Sequence, residues 1–300
     1  MQSRRPWCSI TSVAIELSIP DVDRLDDVVH ALRDWQREVA PMQLHPGDLG
    51  WYWQFGAEAV AAVLRTWTRD GELLALGFLD GPGVLRMTVA PQVWRDEEVA
   101  LQVVADVSEP QRGVLPAGKA SVEVPDGTRV QDLLFDTGWS AGESWTPLRR
   151  DLREPVEHTR LRIEVVGDGQ EPEFTAVHRS AWGSPRFTDD LWQAMAAGPV
   201  YADARCLLAR DGRGVAVAGA TVWSAGPGKP GLLEPVGVAA EHRGRGYGTV
   251  ISVAAAAELQ NLGALSALVC TPSALVSAVA TYRSAGFEQL SERLDRSRGA

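Results

Sequence analysis

A glycine-rich turn interrupts two regular stretches of this chain. It runs from Val238 to Thr249 and reads V-A-A-E-H-R-G-R-G-Y-G-T. The apolar run before it predicts a strand, and the alanine-rich run after it predicts a helix over residues 247–262 that ends at Gly263. Main-chain N–H groups at a helix start have no intrahelical partner, and the helix dipole adds positive charge there. Because Arg243 and Arg245 add further charge, the turn predicts a phosphate or diphosphate site.

Three kinds of nucleotide-binding loop are candidates for this turn. A Walker loop needs Gly-Lys followed by Ser or Thr, and the turn contains no lysine. A dinucleotide fingerprint needs G-x-G-x-x-G in a parallel βαβ unit, whereas the spacing here is G-x-G-x-G after an apparently antiparallel run. The third pattern, R-x-x-G-x-G/A, is matched by Arg243, Gly246 and Gly248.

The third pattern resembles the cofactor loop of the GCN5-related N-acetyltransferase (GNAT) superfamily. The resemblance covers residues 160–300, because the strand Glu234–Val238 precedes the loop and Tyr282 is followed by Gly286-Phe287. It implies acetyl-CoA as the cofactor. Backbone groups of one strand would pair with the pantetheine arm, namely Val236, Gly237 and Val238. Main-chain amides of the turn would hold the pyrophosphate, namely those of Arg243, Gly244, Arg245, Gly246, Tyr247, Gly248 and Thr249.

Two residues are candidate catalytic groups. The resemblance implies that Tyr282 is a general acid, since a phenol near the sulfur can protonate the departing CoA thiolate. Glu234 lies on the strand beside the expected acyl group, where a partly buried carboxylate can deprotonate the attacking ammonium. The sequence departs from the family in one place: Leu275 stands where many members carry an asparagine, seven residues before Tyr282.

Each of these residues also has a purely structural interpretation. Tyr282 fits a half-buried helix tyrosine, and Glu234 fits a charge at a strand edge or a domain interface. His242 is an alternative base, although it lies closer to the phosphates than to the thioester. For His178, on the first predicted helix of this half, a structural role is the simpler interpretation.

The C-terminal half reads as a β-α-α-β-β-β-α-β-α-β order of elements. A strand at 161–166 precedes helices at 173–182 and 189–197, the second capped near Thr188. Strands at 205–209 and 215–223 flank an Asp211-Gly-Arg-Gly214 turn, followed by a strand at 232–239. After the long helix come a strand at 266–270, a helix at 274–284 and a strand at 287–290. Three consecutive strands predict a mixed sheet in an α/β fold rather than a doubly wound one.

An internal repeat suggests two copies of this fold. Residues 13–16, 85–91 and 137–139 match residues 162–165, 234–240 and 285–287, at offsets of 148 or 149 residues. We therefore predict two tandem GNAT-like domains, a degenerate one at 1–153 and a CoA-binding one at 160–300, joined by a polar segment containing Pro155. This tandem layout is similar to that of mycothiol synthase.

The N-terminal copy lacks the anion site. An offset of 149 aligns Arg243 with Trp94, Gly246 with Glu97 and Gly248 with Val99, and aligns Tyr282 with Leu133 or Leu134. The carboxylates at 96–98 would repel a pyrophosphate. The aromatic-rich segment at 45–53 either forms a substrate lip with faces for a cation or packs the domain interface. Trp182 and Trp192 are core or cleft residues.

Bulk composition limits the classes of function. A net charge of −10 argues against nucleic-acid binding. No run of 18 apolar residues is present, so we expect no membrane span. The scattered Cys8, Cys206 and Cys270 predict neither disulfides nor a metal site. Together with the lack of an apolar segment after Met1–Cys8, they indicate a reducing, cytoplasmic setting.

The combined prediction is an N-acetyltransferase. It would move an acetyl or short acyl group from acetyl-CoA directly to a primary amine of a small molecule, in a ternary complex without a metal. The alternative is a non-catalytic acyl-CoA sensor that keeps the loop and lacks the chemistry of Glu234 and Tyr282. A third possibility is another reaction on the same scaffold, such as a decarboxylation.

Overall fold

The structure is a computed structural model that describes residues 14–157 and 159–299. Val13 of the repeat and Cys8 lie outside these residues. The N-terminal half contains β1 (Glu16–Ser18), α1 (Leu25–Trp35), α2 (Pro46–Tyr52), α3 (Ala57–Val63), β2 (Leu64–Arg69), β3 (Glu72–Leu79), β4 (Val84–Val89), α4 (Glu97–Ser108), β5 (Ala120–Glu123), α5 (Arg129–Asp136) and β6 (Ser140–Asp151). The C-terminal half contains β7 (Arg162–Val165), α6 (Glu171–Trp182), α7 (Asp189–Ala196), β8 (Ala204–Arg210), β9 (Ala216–Trp223), β10 (Pro230–Val238), α8 (Tyr247–Asn261), β11 (Ser266–Pro272), α9 (Val276–Ser284), β12 (Glu288–Gln289) and β13 (Arg293–Arg298).

The sequence patterns located every element of the C-terminal half except its last strand. The side chain of Thr188 accepts a hydrogen bond from the Leu191 N–H, which confirms the predicted cap of α7. The missed strand, β13, reads R-L-D-R-S-R and lacks an apolar face. It nevertheless lies in the middle of the sheet, between β5 and β6, and Arg293 and Asp295 are therefore buried.

All thirteen strands among the described residues form one mixed sheet. Its order is β1-β2-β3-β4-β5-β13-β6-β11-β10-β9-β8-β7, with β12 paired to β6. Only the β4–β5 and β10–β11 pairs are parallel, and each belongs to one half. The mixed sheet predicted from three consecutive strands is therefore confirmed, and the same strand order occurs twice.

The two halves exchange their last strands. β6 of the N-terminal half pairs with β11 of the C-terminal half, and β13 returns to pair with β5. β6 and β13 also pair with each other, and Arg293 faces Trp145, which precedes it by the repeat offset of 148 residues. The division between 1–153 and 160–300 stays a prediction, and neither segment holds all the strands of its own part of the sheet.

Matching hydrogen bonds show which residues of the repeat are equivalent. The Phe287 N–H donates to the Tyr282 carbonyl at 3.1 Å, and the Trp139 N–H donates to the Leu134 carbonyl at 3.0 Å. Both bonds close the end of a helix around a glycine with positive φ. Tyr282 therefore corresponds to Leu134, which is fully buried and apolar.

The glycine turn is one residue longer than its counterpart. The short 3-10 turns before it, Pro91–Val93 and Ala240–His242, keep the offset of 149, but α4 and α8 start 150 residues apart. Extending the offset of 149 into the helix, which paired Gly246 with Glu97, was therefore wrong by one residue. The helix starts align Gly246 with Asp96.

A buried ionic cluster joins the halves at the exchanged strands. Arg293 of β13 lies 2.6 Å from Glu123 of β5, and Glu123 lies 3.2 Å from Arg86 of β4. Arg86 also lies 2.8 Å from Asp48 of α2. A charge removed from such a cluster leaves its partner buried and uncompensated, which costs more than breaking an exposed pair.

We expect Arg293→Met to destabilise the chain by about 3 kcal/mol, because Glu123 loses one of two buried cations. Urea denaturation of the full chain measures the free energy of unfolding. The control is Arg153→Met, which removes an exposed guanidinium 3.1 Å from Asp151 and should cost less than about 1 kcal/mol. Equal losses for the two variants would show that the buried cluster does not stabilise the junction.

Candidate active site

The cleft starts where two parallel strands separate. β10 pairs with β11 only over Pro230–Leu232 and Ser266–Leu268. Beyond Leu232, β10 stays paired with β9 through a register shift between Leu233 and Val236, while β11 stays paired with β6. Beyond this point the facing edges of β10 and β11 do not pair with each other, and a wedge opens between them in the sheet.

This wedge forms a cleft of about 770 Å³. Its walls come from β10 and β11, from the glycine turn, and from α6 and α9, with one residue, Trp51, from the N-terminal half. The cleft collects nearly all of the residues predicted from sequence: Glu234, Val236, Gly237, Val238, Arg243, Gly244, Gly246, Tyr247, Gly248, Thr249 and Tyr282. Arg245 is exposed and is not among the lining residues.

The start of α8 is an open cluster of main-chain donors. The first intrahelical hydrogen bond is donated by Val250 to the Gly246 carbonyl at 3.2 Å, so the N–H groups of Tyr247, Gly248 and Thr249 precede the ladder. Gly246 is the N-cap and offers no capping side chain. It and Gly244 have φ values of 81° and 73°, which other residues rarely adopt. The turn can therefore present its amides to an anion in the cleft.

Two further glycines are required by packing. A Cβ on Gly248 would lie 2.9 Å from the Thr281 Cγ2 of α9, and one on Gly237 would lie 2.5 Å from the Trp182 ring of α6. Gly248 thus lets α8 approach α9, and Gly237 lets α6 lie directly on β10. Both contacts bring helices close to the edge of β10, where an extended ligand could pair with the strand.

The glycine turn is tied to α6. The Ser180 hydroxyl accepts a hydrogen bond from the Ala240 N–H at 3.0 Å and bonds the Glu241 carboxylate at 3.2 Å. The Arg243 guanidinium donates to the Ala181 carbonyl. The end of α6 and the glycine turn therefore form one connected wall.

Glu234 is the only carboxylate among the described residues that line the cleft. It is half-buried, and its side chain has no hydrogen-bond or ion-pair partner within the described chain. Burial raises its pKa to about 7, opposed by the charge of Arg86 and supported by Asp48 and Glu123. A carboxyl with such a pKa can accept a proton near neutral pH.

Tyr282 and Cys270 lie on the opposite side of the cleft, on α9 and β11. Tyr282 is buried, and burial, with the nearby Glu234, raises the pKa of its phenol well above 10. Burial also raises the pKa of the Cys270 thiol to about 11. Both groups are therefore protonated at neutral pH, so Tyr282 can donate a hydrogen bond and Cys270 is a poor nucleophile.

A row of aromatic rings forms the remaining wall. The His178 ring stacks on Trp182 with centroids 4.2 Å apart, and Trp51 lies 5.3 Å from His178 on the other side. Phe187 supports the row from behind, 4.7 Å from both Trp51 and His178. This wall gives the cleft an apolar surface opposite the two titratable residues.

The equivalent turn of the N-terminal half is closed by its own side chains. Asp96 is the N-cap of α4, and its Oδ1 accepts a hydrogen bond from the Val99 N–H at 2.9 Å. Glu97 in the first turn pairs with Arg129. A carboxylate thus occupies the position that Gly246 leaves open in the C-terminal half.

The sequence missed part of this cleft. His178 was interpreted as structural, yet it lines the cleft, and its spacing of four residues from Trp182 on α6 was the available signal. The segment at 45–53, predicted either as a substrate lip or as interface packing, contains both: Trp51 lines the cleft, and the neighbouring Trp53 is buried. Cys270 gave no pattern of its own. His242 is not among the lining residues.

Two negative findings concern the described part of the chain. Within residues 14–157 and 159–299, no group of three or more His, Cys, Asp or Glu side chains is arranged to hold a metal ion. In the same residues, none of the helices has the length and apolar composition needed to span a membrane.

Comparisons with known proteins agree with this architecture. Residues 168–287 match the model of the acetyltransferase (GNAT) family. A search of curated proteins gives no significant match. A solved GCN5-related N-acetyltransferase from Sphaerobacter thermophilus is similar with a TM-score of 0.57 and 18% identity, over 95% of each chain.

Two other solved structures also resemble the whole chain. A GNAT-family acetyltransferase from Colwellia psychrerythraea has a TM-score of 0.60 at 14% identity, over 96% of this chain and all of its own. A tandem GNAT protein from the clavulanic acid biosynthesis pathway has a TM-score of 0.57 at 14% identity, over 95% of this chain and 98% of its own. At these identities the likeness concerns the fold. The chain therefore has a tandem GNAT fold, and its C-terminal half is similar to GNAT-family acetyltransferases over residues 168–287.

Proposed function

We propose that the protein transfers an acetyl group from acetyl-CoA to a primary amine of a small molecule. One observation carries this proposal: an uncapped helix start that suits a pyrophosphate and a carboxyl with a pKa near neutrality lie in the same cleft. The pyrophosphate would bind the amides of Tyr247, Gly248 and Thr249. The pantetheine arm would pair with the free edge of β10, which brings the thioester toward Glu234.

The chemistry follows from this arrangement. Glu234 takes a proton from the bound ammonium, so that a neutral amine attacks the thioester carbonyl directly. The C–N bond forms, the nitrogen releases its second proton to solvent, the C–S bond breaks, and the sulfur leaves as a thiolate toward Tyr282. Because burial raises the pKa of Tyr282, its phenol stabilises the thiolate chiefly as a hydrogen-bond donor, with the proton following from solvent.

A covalent acyl-cysteine route is the weaker alternative. Cys270 lines the cleft, but burial raises its pKa to about 11, so little thiolate forms at neutral pH. Glu234 and Tyr282, by contrast, supply the two proton-handling groups that direct transfer uses. We also place the reaction in the cytoplasm, because the free thiols of Cys206 and Cys270 suit a reducing compartment.

We further propose that the N-terminal half binds no CoA of its own. The Asp96 carboxylate already accepts a hydrogen bond from the start of α4, and Leu134 replaces the phenol of Tyr282. This half instead supplies Trp51 to the cleft and buried charges behind Glu234.

A non-catalytic acyl-CoA sensor is the second candidate, since it requires only the open turn. Incubation with acetyl-CoA and a panel of amines separates the two functions. An acetyltransferase releases free CoA in proportion to acetylated amine, whereas a sensor binds acetyl-CoA without releasing it.

We expect Gly246→Glu to weaken acetyl-CoA binding at least about 10-fold more than Gly246→Ala. Both variants lose the positive φ that glycine allows, but only the glutamate adds a negative charge beside the pyrophosphate. Isothermal titration of the full chain measures both affinities. Wild-type protein should bind one acetyl-CoA per chain. Two equivalent sites, or equal affinities of the two variants, would contradict the assignment of the turn.

We expect the kcat of the wild type to fall as the pH drops through about 7. A base works only when deprotonated, and burial raises the pKa of Glu234 to about 7, so each further unit of acid should cost about 10-fold. Glu234→Gln should lower kcat by about 100-fold and remove this decrease of kcat at acid pH. Two acceptors with different amine pKa values provide the control. If the pH at which kcat falls shifts with the pKa of the acceptor, the fall does not come from Glu234.

We expect Tyr282→Phe to lower kcat by about 100-fold while leaving the Kd of acetyl-CoA unchanged, because the hydroxyl acts only on the departing sulfur. Steady-state kinetics and titration measure the two constants. Tyr201→Phe is the matched control, since Tyr201 does not line the cleft. A Tyr282→Phe variant with full kcat would assign this residue to packing alone.

A further inference from the structure

One side of the cleft is an aromatic wall, formed by Trp51, His178 and Trp182. Trp182 stands at the rim with 47% of its surface exposed, and its other face lies on the His178 ring. The planes of these two rings differ by 17°, and Trp51 continues the row at 31° to His178. The three rings lie in a row along one side of the cleft, and an aromatic body can be buried against their faces or edges.

Contacts between the halves hold Trp51 in place relative to Glu234, and one of them runs through Trp223. Gly47 and Gly50 of α2 pack against Trp223, where an added Cβ would lie 2.5 Å and 2.4 Å from the indole, respectively. The Trp223 indole N–H in turn donates to the main-chain carbonyl of Glu234 at 2.7 Å. α2 and β10 therefore share one buried ring, so Trp51 is fixed with respect to the carboxyl.

The aromatic wall carries no charge at neutral pH. Burial lowers the pKa of His178 to about 4, assisted by the neighbouring Arg179, so the imidazole is neutral. The indoles of Trp51 and Trp182 are neutral as well. An acceptor that contacts this wall therefore meets rings and no ionic partner.

Within the described residues, the lining of the cleft has only two charged side chains, Glu234 and Arg243. Arg243 belongs to the glycine turn and donates to the Ala181 carbonyl. The cations behind Glu234 are also engaged, Arg86 by Asp48 and Glu123, and Arg293 by Glu123. A carboxylate or phosphate on the acceptor would be buried beside Glu234 without a compensating cation.

We infer that the acceptor is an amine on a flat, apolar body that carries no anionic group, of the arylethylamine type, and that Trp51 of the N-terminal half selects it. This inference rests on the proposed transfer to an amine. The ammonium lies at Glu234, and the ring lies against the aromatic wall. Amino acids and phosphorylated amines are poor acceptors, because the wall offers their anionic groups no cationic partner.

Matched pairs of acceptors test the charge argument. Tryptamine and tryptophan, and phenethylamine and phenylalanine, differ only by a carboxylate, and glucosamine represents a polar body. Release of CoA with each amine gives kcat/KM for the wild-type chain. We expect each arylethylamine to exceed its amino acid by at least about 100-fold, since an unpaired buried charge is rejected more strongly than a missing apolar contact.

The outcomes separate this inference from the proposed function. Preference for an amino acid or for glucosamine would overturn the inference while acetyl transfer to an amine stands. Binding of acetyl-CoA with no amine acetylated, by mass spectrometry of the products, would overturn the proposed function and the inference with it.

Variants of the wall test the role of the N-terminal half. Trp51→Ala should lower kcat/KM for tryptamine by at least about 10-fold, mainly through KM, and leave the KM of acetyl-CoA unchanged. Trp51→Phe should restore most of the loss. Phe135→Ala is the control, because this exposed ring of the same half lies outside the cleft. Equal effects of Trp51→Ala and Phe135→Ala on tryptamine would remove Trp51 from the acceptor site.

Discussion

The separation of β10 from β11 is the constraint on which the rest of the molecule depends. Two parallel strands that stay paired leave no main-chain edge for a ligand, whereas strands that part after three residues leave one on each side. The register shift of β10 between Leu233 and Val236 lets it keep its bonds to β9 while it turns away from β11. Glu234 lies within this shift, so the feature that opens the cleft also presents the carboxyl to it.

The two halves differ in how they treat the free N–H groups at the equivalent helix start: one half caps them with a side chain, and the other leaves them uncapped. Asp96 satisfies the start of α4 with its own carboxylate, which stabilises the helix and occupies one of its free main-chain donors. Gly246 leaves the start of α8 unsatisfied, and the extra residue in that turn allows two left-handed glycines to bend the backbone around the vacant amides. One half thereby gains local stability, and the other retains a surface that a diphosphate can occupy.

The sequence was most informative where function restricts residue type. The glycine turn, the strand before it and the Tyr282-to-Phe287 segment each require particular residues, and the turn, the strand and Tyr282 line the cleft. β13 escaped prediction because its buried positions carry Arg293 and Asp295, whose burial depends on partners far away in the chain. The exchange of strands and the entry of Trp51 into the cleft are products of tertiary pairing, which local periodicity does not encode.

The exchange also explains why the N-terminal half is more than an inert copy. Glu234 lies in the C-terminal half, yet the charges that act on its pKa, Arg86, Asp48 and Glu123, all belong to the N-terminal half. The chain returns through β13 to place Arg293 against Glu123, which ties this cluster to both halves. Because the opposing signs of Arg86 and the two carboxylates partly cancel at Glu234, a small displacement of the N-terminal half would alter the proton affinity of that carboxyl. The half that lacks an open helix start thus sets the electrostatic environment of the half that has one.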